Sequence, residues 1–135
     1  MHYHTFSDLI IRLKLAYKNH YVSVKIKKNK FAIKFFSLLQ KIGLIRGFSF
    51  ILSENYILVY LKYINSKFCF SNINVISKPS KRIYYNLNFL SKNYRRNDFS
   101  TIYIISTSKG LFVHNDILLS KNFLCVPYHK FKKSI

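Results

Sequence analysis

From Ser7 onward the apolar positions fall on a helical period. Leu9, Ile10, Leu13, Ala16 and Tyr17 recur at i, i+1, i+4, i+7 and i+8, one stripe of an amphipathic helix. Ser7 and Asp8 read as its opening, a capping hydroxyl and an acid at the positive dipole end. Arg12, Lys14 and Lys18 lie off the stripe. So do Ile11 and Leu15, which predicts a second, partly covered face. The period then changes to two: in Tyr21–Lys27, Val22, Val24 and Ile26 alternate with Ser23, Lys25 and Lys27, a half-buried strand with a basic outer side. A basic turn, Lys27-Lys28-Asn29-Lys30, leads into a second helix carrying Phe31, Phe35, Leu38, Leu39 and Ile42 at helical spacing, with Lys41 in its last turn and Gly43 as its C′ residue. Gly47 breaks the chain again. Phe48–Leu52 and Tyr56–Tyr63 read as a hairpin around Ser53-Glu54-Asn55.

The remainder lacks long helical stripes. Strands are expected at Asn72–Ser77, Arg82–Tyr85, Thr101–Ile105 and Phe123–Tyr128, and short helical turns at Asn88–Asn93 and Asn115–Ser120. Turns fall at Lys78-Pro79-Ser80-Lys81, where Pro79 biases Lys78 to extended backbone, at Tyr94–Asp98 and at Ser106–Gly110; a basic tail follows at His129–Lys133. The pattern as a whole is α+β in two small lobes: residues 1–66, helix-strand-helix-strand-strand, and residues 67–135, mostly β with a short helix.

Charge narrows what such a chain can do. Of 135 residues, 23 are Lys or Arg and 4 are acids, a net charge of +19. Half the residues are apolar, ample for a buried core, so an ordered chain is expected. A surplus this large repels itself, so a polyanion is expected beside it. The longest runs free of Lys, Arg, Asp and Glu span 68–77 and 99–108, far short of the roughly twenty residues of a membrane-spanning helix. The beginning of the chain shows no apolar signal region and no Arg- and Ser-rich leader, so synthesis in the compartment where the protein works is expected. Cys69 and Cys125 are too few and too far apart for a disulfide framework or a zinc knuckle, and both are expected to be buried free thiols. Phe, Tyr, Ile, Asn and Lys make up 71 residues and Gly, Ala, Arg and Pro only 12, the imprint of an AT-rich, organelle-like genome.

Little in this composition supports catalysis. The four carboxylates (Asp8, Glu54, Asp98 and Asp116) are scattered and form no acid–base or metal-binding pair, so no cofactor and no metal are expected. His2 and His4 have no third ligand near in sequence, and His114 beside Asn115 and Asp116 reads as a helix-start residue. Ser106-Thr107-Ser108-Lys109 matches S-x-x-K, but it follows a strand and lacks the partner motifs of a serine nucleophile. What remains is basic charge interleaved with aromatic rings, at 25–30, 78–85, 94–96 and 128–133: Lys and Arg for phosphates, Tyr for unpaired bases. The hydroxyls of Ser106–Ser108 beside Gly110 add donors and acceptors suited to a shallow RNA minor groove.

Those hydroxyls also carry a resemblance. Ile105-Ser106-Thr107-Ser108-Lys109-Gly110 resembles the S-T-S-K-G motif of the bacterial-type small-subunit ribosomal protein eight family. In order along the chain, Asp8…Arg12-Leu13-Lys14 is similar to its D-x-x-x-R-I-R helix. Lys30-Phe31 with Leu38-Leu39…Gly43 is similar to its S-K-L…V-L…G-F-I helix. Leu61-Lys62-Tyr63 matches L-K-Y, and the segment from Val75 to Tyr84 resembles V-S-R-P-G-x-R-I-Y. The likeness covers roughly residues 5–128. It departs at Leu15 (Asn in the family), at Ser80 (Gly) and at Ser120-Lys121-Asn122, which shortens a G-x-G-G-E loop and loses its acid; Tyr128–Ile135 reads as an extension.

The resemblance implies two small lobes and a primary binder of the central domain of small-subunit rRNA that supports assembly and translation. It implies that Ser106, Thr107, Ser108, Lys109 and Gly110 press into an irregular RNA helix with Arg82, Tyr84 and Lys78 beside them, while Lys28 and Lys30 reach a neighbouring RNA element. The implied partners are small-subunit rRNA and neighbouring small-subunit ribosomal proteins, not a second copy of the chain. Composition and resemblance together point to a ribosome of the mitochondrial matrix, with a plastid as second choice. Two other readings compete. A cationic membrane-surface protein binding anionic lipid needs residues 7–19 as a free amphipathic helix. A small serine hydrolase needs Ser106 or Ser108 as its nucleophile.

Overall fold

A computed structural model of the chain describes residues 2–78, 80–86, 88, 91–92, 101–116 and 126–133. Helices and strands are both present, an α+β fold, and the chain divides into two compact units, Met1–Cys69 and Phe70–Ile135.

In the first unit, α1 (His2–Lys18) carries the expected stripe: Leu9, Ile10, Leu13, Ala16 and Tyr17 are all buried. The helix starts earlier than the Ser7 cap implies. Phe6 belongs to the stripe and sets its edge against Phe31 and Phe35, with ring centroids 5.1 and 5.4 Å apart, which gives the first turn something to pack on. Asp8 therefore sits inside the helix and accepts a 2.9 Å hydrogen bond from Arg12 one turn on. The partly covered second face is not found: Ile11 and Leu15 are 62% and 57% exposed. The stripe itself is spent in the core and is not available to lie on a membrane surface.

In α2 (Lys30–Ile42) the buried face is wider than the sequence stripe. Ala32 and Phe36 are buried beside Phe35 and Leu39, whereas Phe31, Leu38 and Ile42 are only partly covered. Two neighbours explain the width, since Phe35 meets Phe6 of α1 while Phe36 meets Phe48 of the sheet. Gly43 ends the helix at φ 85°, donating to the carbonyls of Leu39 and Gln40, and Leu44 N–H also reaches Leu39; this is the left-handed stop expected of a C′ glycine.

The first unit's sheet runs β1 (Ser23–Lys27), β3 (Tyr56–Leu61), β2 (Ile45–Phe50) in spatial order, all antiparallel. Ile26, Ile57, Val59 and Leu61 fill its buried face, with α1 packed beside β1 and α2 beside β2. β1 begins two residues later than the alternation suggests and Val22 is 71% exposed, although its carbonyl still accepts from Leu61 N–H. Gly47 does not break the chain. β2 starts at Ile45 and runs through it, with a register shift between Ile45 and Gly47, a bulge that glycine tolerates. β2 also ends sooner than expected, leaving Leu52 wholly exposed in the turn. A second hairpin, β4 (Tyr63–Ile64) and β5 (Lys67–Phe68), turns on Asn65 and Ser66, both at positive φ (50° and 61°) as a tight primed turn requires.

The second unit is a sheet in the order β6 (Phe70–Val75), β10 (Val126–Lys133), β8 (Thr101–Thr107), β9 (Gly110–Val113), with β7 (Tyr84–Tyr85) also paired to β10. Tyr103, Ile104 and Ile105 are buried in succession, so both faces of β8 are covered. Three expectations change. The strand expected at Asn72–Ser77 begins and ends two residues earlier. Ser106 and Thr107 extend β8 and Gly110 opens β9, a strand not expected. The expected tail His129–Lys133 is the second half of β10, paired to β6 on one side and β8 on the other. Residues 114–116 form the one described turn of the helix expected at Asn115–Ser120; 117–120, most of 88–93, the loop 94–98, Pro79 and Cys125 lie outside the described residues. Cys69 is a buried free thiol donating to the carbonyl of Lys62.

Candidate nucleic-acid interface

The S-T-S-K-G segment is the reversal of the β8–β9 hairpin. Thr107 pairs with Gly110 and Ser106 with Leu111, so only Ser108 and Lys109 lie in the turn, and both are exposed. The three hydroxyls do different work. Thr107 Oγ1 accepts the Lys109 N–H at 3.2 Å and donates to the Gly110 carbonyl at 2.9 Å, so it clamps the turn and is not offered outward. Ser106 is half-buried in the strand, and Ser108 presents its hydroxyl at the tip. Gly110 stands at φ 132°, where a side chain is strained. A Cβ there would meet nothing nearer than Phe112 at 4.0 Å, so glycine is needed for the backbone and not for space. Ser106 and Lys109 do not share a helical turn, so the geometry of an S-x-x-K nucleophile is absent here.

Register brings other expected residues to the same end of the sheet. Tyr128 of β10 lies opposite Ile105, and its neighbours Pro127 and Val126 lie opposite Tyr84 and Tyr85. Tyr84, 53% exposed, therefore sits at the level where β8 runs into its turn. Val75 opposite His129 sends β6 toward that end too. Beyond it, Lys78 and Lys81 exchange backbone hydrogen bonds of 3.1 Å across a tight turn, with Lys78 and Arg82 exposed. Buried Ser77, not a candidate by residue type or spacing, accepts the Ile83 N–H at 3.4 Å and ties this turn to the strand that follows.

Lys28 and Lys30 belong to the other unit. Both are exposed at the start of α2, whose N-cap Asn29 makes no side-chain hydrogen bond to the helix. The uncapped N–H groups add the positive end of the helix dipole to three neighbouring lysines. Lys28 Nζ also lies 5.2 Å from the centroid of the Phe50 ring, which limits where it can reach.

His114 is 7% exposed, and its Nδ1 accepts the Tyr103 N–H at 3.3 Å, pinning the helical turn to β8. Burial pushes the imidazole below its ordinary value, with Asp116 offsetting part of the effect. The unfolded chain therefore takes up this proton first. Stability is undiminished above about pH 6.5, falls as pH drops through that value, and levels off below the lowered folded value. Urea titrations at several pH values should show this loss in the wild type and a flatter profile in His114→Gln; equal profiles would rule it out.

The L-K-Y segment has an internal explanation. Leu61 is core, Lys62 Nζ donates to the Gly43 carbonyl at 3.2 Å, and Tyr63 OH donates to the Tyr21 carbonyl at 2.6 Å. These three residues join the end of α2 to the start of β1.

Comparison with known proteins places this geometry. The family model described as "Ribosomal protein S8" matches residues 4–121. The "Small ribosomal subunit protein uS8m" of Acanthamoeba castellanii is 37% identical over 110 residues, 82% of this chain and 85% of that protein. The "Small ribosomal subunit protein uS8" of Rickettsia massiliae and that of Rickettsia rickettsii are each 34% identical over 108 residues, 78% of this chain and 80% of each relative. No described helix is long and apolar enough to cross a membrane. With a family model spanning most of its length and relatives this similar, the chain belongs to the ribosomal protein S8 family, whose members are structural proteins of the ribosome and not enzymes.

Proposed function

We propose that this chain is a structural constituent of the small subunit of a mitochondrial ribosome, made in the organelle, where it binds the central domain of small-subunit rRNA and supports assembly and translation. A plastid ribosome is the second choice of compartment. Its partners are that rRNA and neighbouring small-subunit proteins, and it acts as a single copy. The observation that carries the reading is the β8–β9 turn: Thr107 holds it rigid from within, so Ser108 and Lys109 are presented without a large ordering cost. Tyr84, Arg82 and Lys78 stand at the same end of the sheet, which supports one continuous contact with folded RNA. Lys28 and Lys30 supply phosphate contacts from the first unit.

Specificity and charge separate in one experiment, a filter-binding titration of an rRNA central-domain fragment over several salt concentrations. Ser108→Ala is expected to cost about 1–2 kcal/mol, a hydrogen-bonding partner lost in a desolvated contact, with no change in salt slope. Lys30→Ala should leave the contact in place and lower that slope by about one unit. Wild-type affinity in Ser108→Ala would overturn the role of the turn.

A further inference from the structure

One face of the β1-β3-β2 sheet is buried and the other is open. Alternation puts Ile57, Val59 and Leu61 inward and leaves Tyr56, Leu58 and Tyr60 of the central strand on the open side. On the neighbouring strand Lys27 lies directly opposite Tyr56, and Lys25 opposite Leu58. The two tyrosines are 41% and 38% exposed. Tyr60 has Gly47 as its cross-strand partner on β2, and its hydroxyl lies 3.4 Å from Ser49 Oγ, which restrains the phenol.

The charge around this face is one-sided. Met1–Cys69 holds twelve Lys and Arg against two acids. Of those acids Asp8 is engaged by Arg12 on α1, and Glu54 lies 3.7 Å from Lys25, leaving Lys27 without an ion pair among the described residues. An acidic peptide would satisfy the lysines but not the rings. Paired RNA would satisfy the lysines too, but it offers no base faces to stack on. Unpaired nucleotides satisfy both, since every base has a face to stack and a phosphate to neutralise. Four residues of strand separate the rings by about 13 Å, a track long enough for more than one nucleotide.

We propose that the open face of this sheet is a second RNA-binding surface, on which unpaired nucleotides stack on Tyr56 and Tyr60 while Lys27, and Lys25 in exchange for its exposed pairing with Glu54, hold their phosphates. The inference rests on the reading of the chain as an rRNA binder and adds the class of RNA that its first unit takes.

The chain contains no Trp, so Tyr60→Trp places a single indole on the face. Full-length Y60W is titrated with single-stranded oligoadenylate and with an A-form duplex of equal length. Saturable quenching by the single strand and much weaker quenching by the duplex are expected. In the otherwise wild-type chain, Tyr56→Ile with Tyr60→Ile keeps strand propensity and removes both rings. It should weaken oligoadenylate binding about tenfold, while the corresponding Phe pair retains it. Equal quenching by duplex and single strand, or wild-type oligoadenylate affinity in a folded Ile pair, would overturn the proposal. Failure to bind the rRNA fragment with oligoadenylate binding intact would instead count against the ribosomal reading alone.

Discussion

Phe35→Ala is expected to destabilise the first unit by about 3–5 kcal/mol, a large part of what holds a domain of this size together. Phe35 is wholly buried and touches rings on several sides: Phe6 of α1 at 5.4 Å edge-on, Phe36 at 5.7 Å, and Phe31 at 6.3 Å nearly parallel. Removing it leaves a cavity that two helices and a sheet must close around, and ring-on-ring packing does not collapse easily. Urea unfolding followed by far-UV circular dichroism measures the loss. Phe31→Ala, at a partly covered position, is the comparison and should cost clearly less. A Phe35→Ala value below about 1 kcal/mol would mean that the core is not assembled as described.

Binding to small-subunit rRNA should weaken roughly a thousandfold between about 50 and 200 mM salt. Both units are basic: twelve Lys and Arg against two acids in Met1–Cys69, and eleven against two in Phe70–Ile135. If about six of these cations sit on phosphates, the release of condensed counterions gives that dependence. Exposed lysines at 28, 30, 78 and 109 are placed to contribute, and four acids against 23 Lys and Arg can pair with few of the cations. A logarithmic plot of affinity against salt is the measurement. A slope corresponding to only one or two phosphates would show that the surplus charge serves some other purpose.

Much of the first unit was legible because its signals are local. The α1 stripe, the alternation around Ile26 and the Gly43 stop each depend on residues within one or two turns of chain. Phe36 and Ala32 were not legible. A stripe is defined by one neighbour, and α2 has two, so its buried face is wider than any single periodicity shows. Gly47 was misjudged for a related reason. A glycine reads as a break until a partner strand supplies the register that turns it into a bulge. The S-T-S-K-G residues could be picked out by type and by resemblance, but the division of labour among their hydroxyls could not. Which one clamps and which one is presented follows from the hairpin register alone.

The chain by itself determined its α+β character, the positions of α1 and α2 and its basic, hydroxyl-tipped chemistry, because periodicity, capping and charge act over a few residues. Only the tertiary structure decided that His129–Lys133 is a central strand and not a solvated tail, and that Tyr84 and the turn before Gly110 share one end of a sheet. A backbone hydrogen bond between strands carries no mark in the side chains until both partners are in place, so such pairings are settled between segments far apart in the chain.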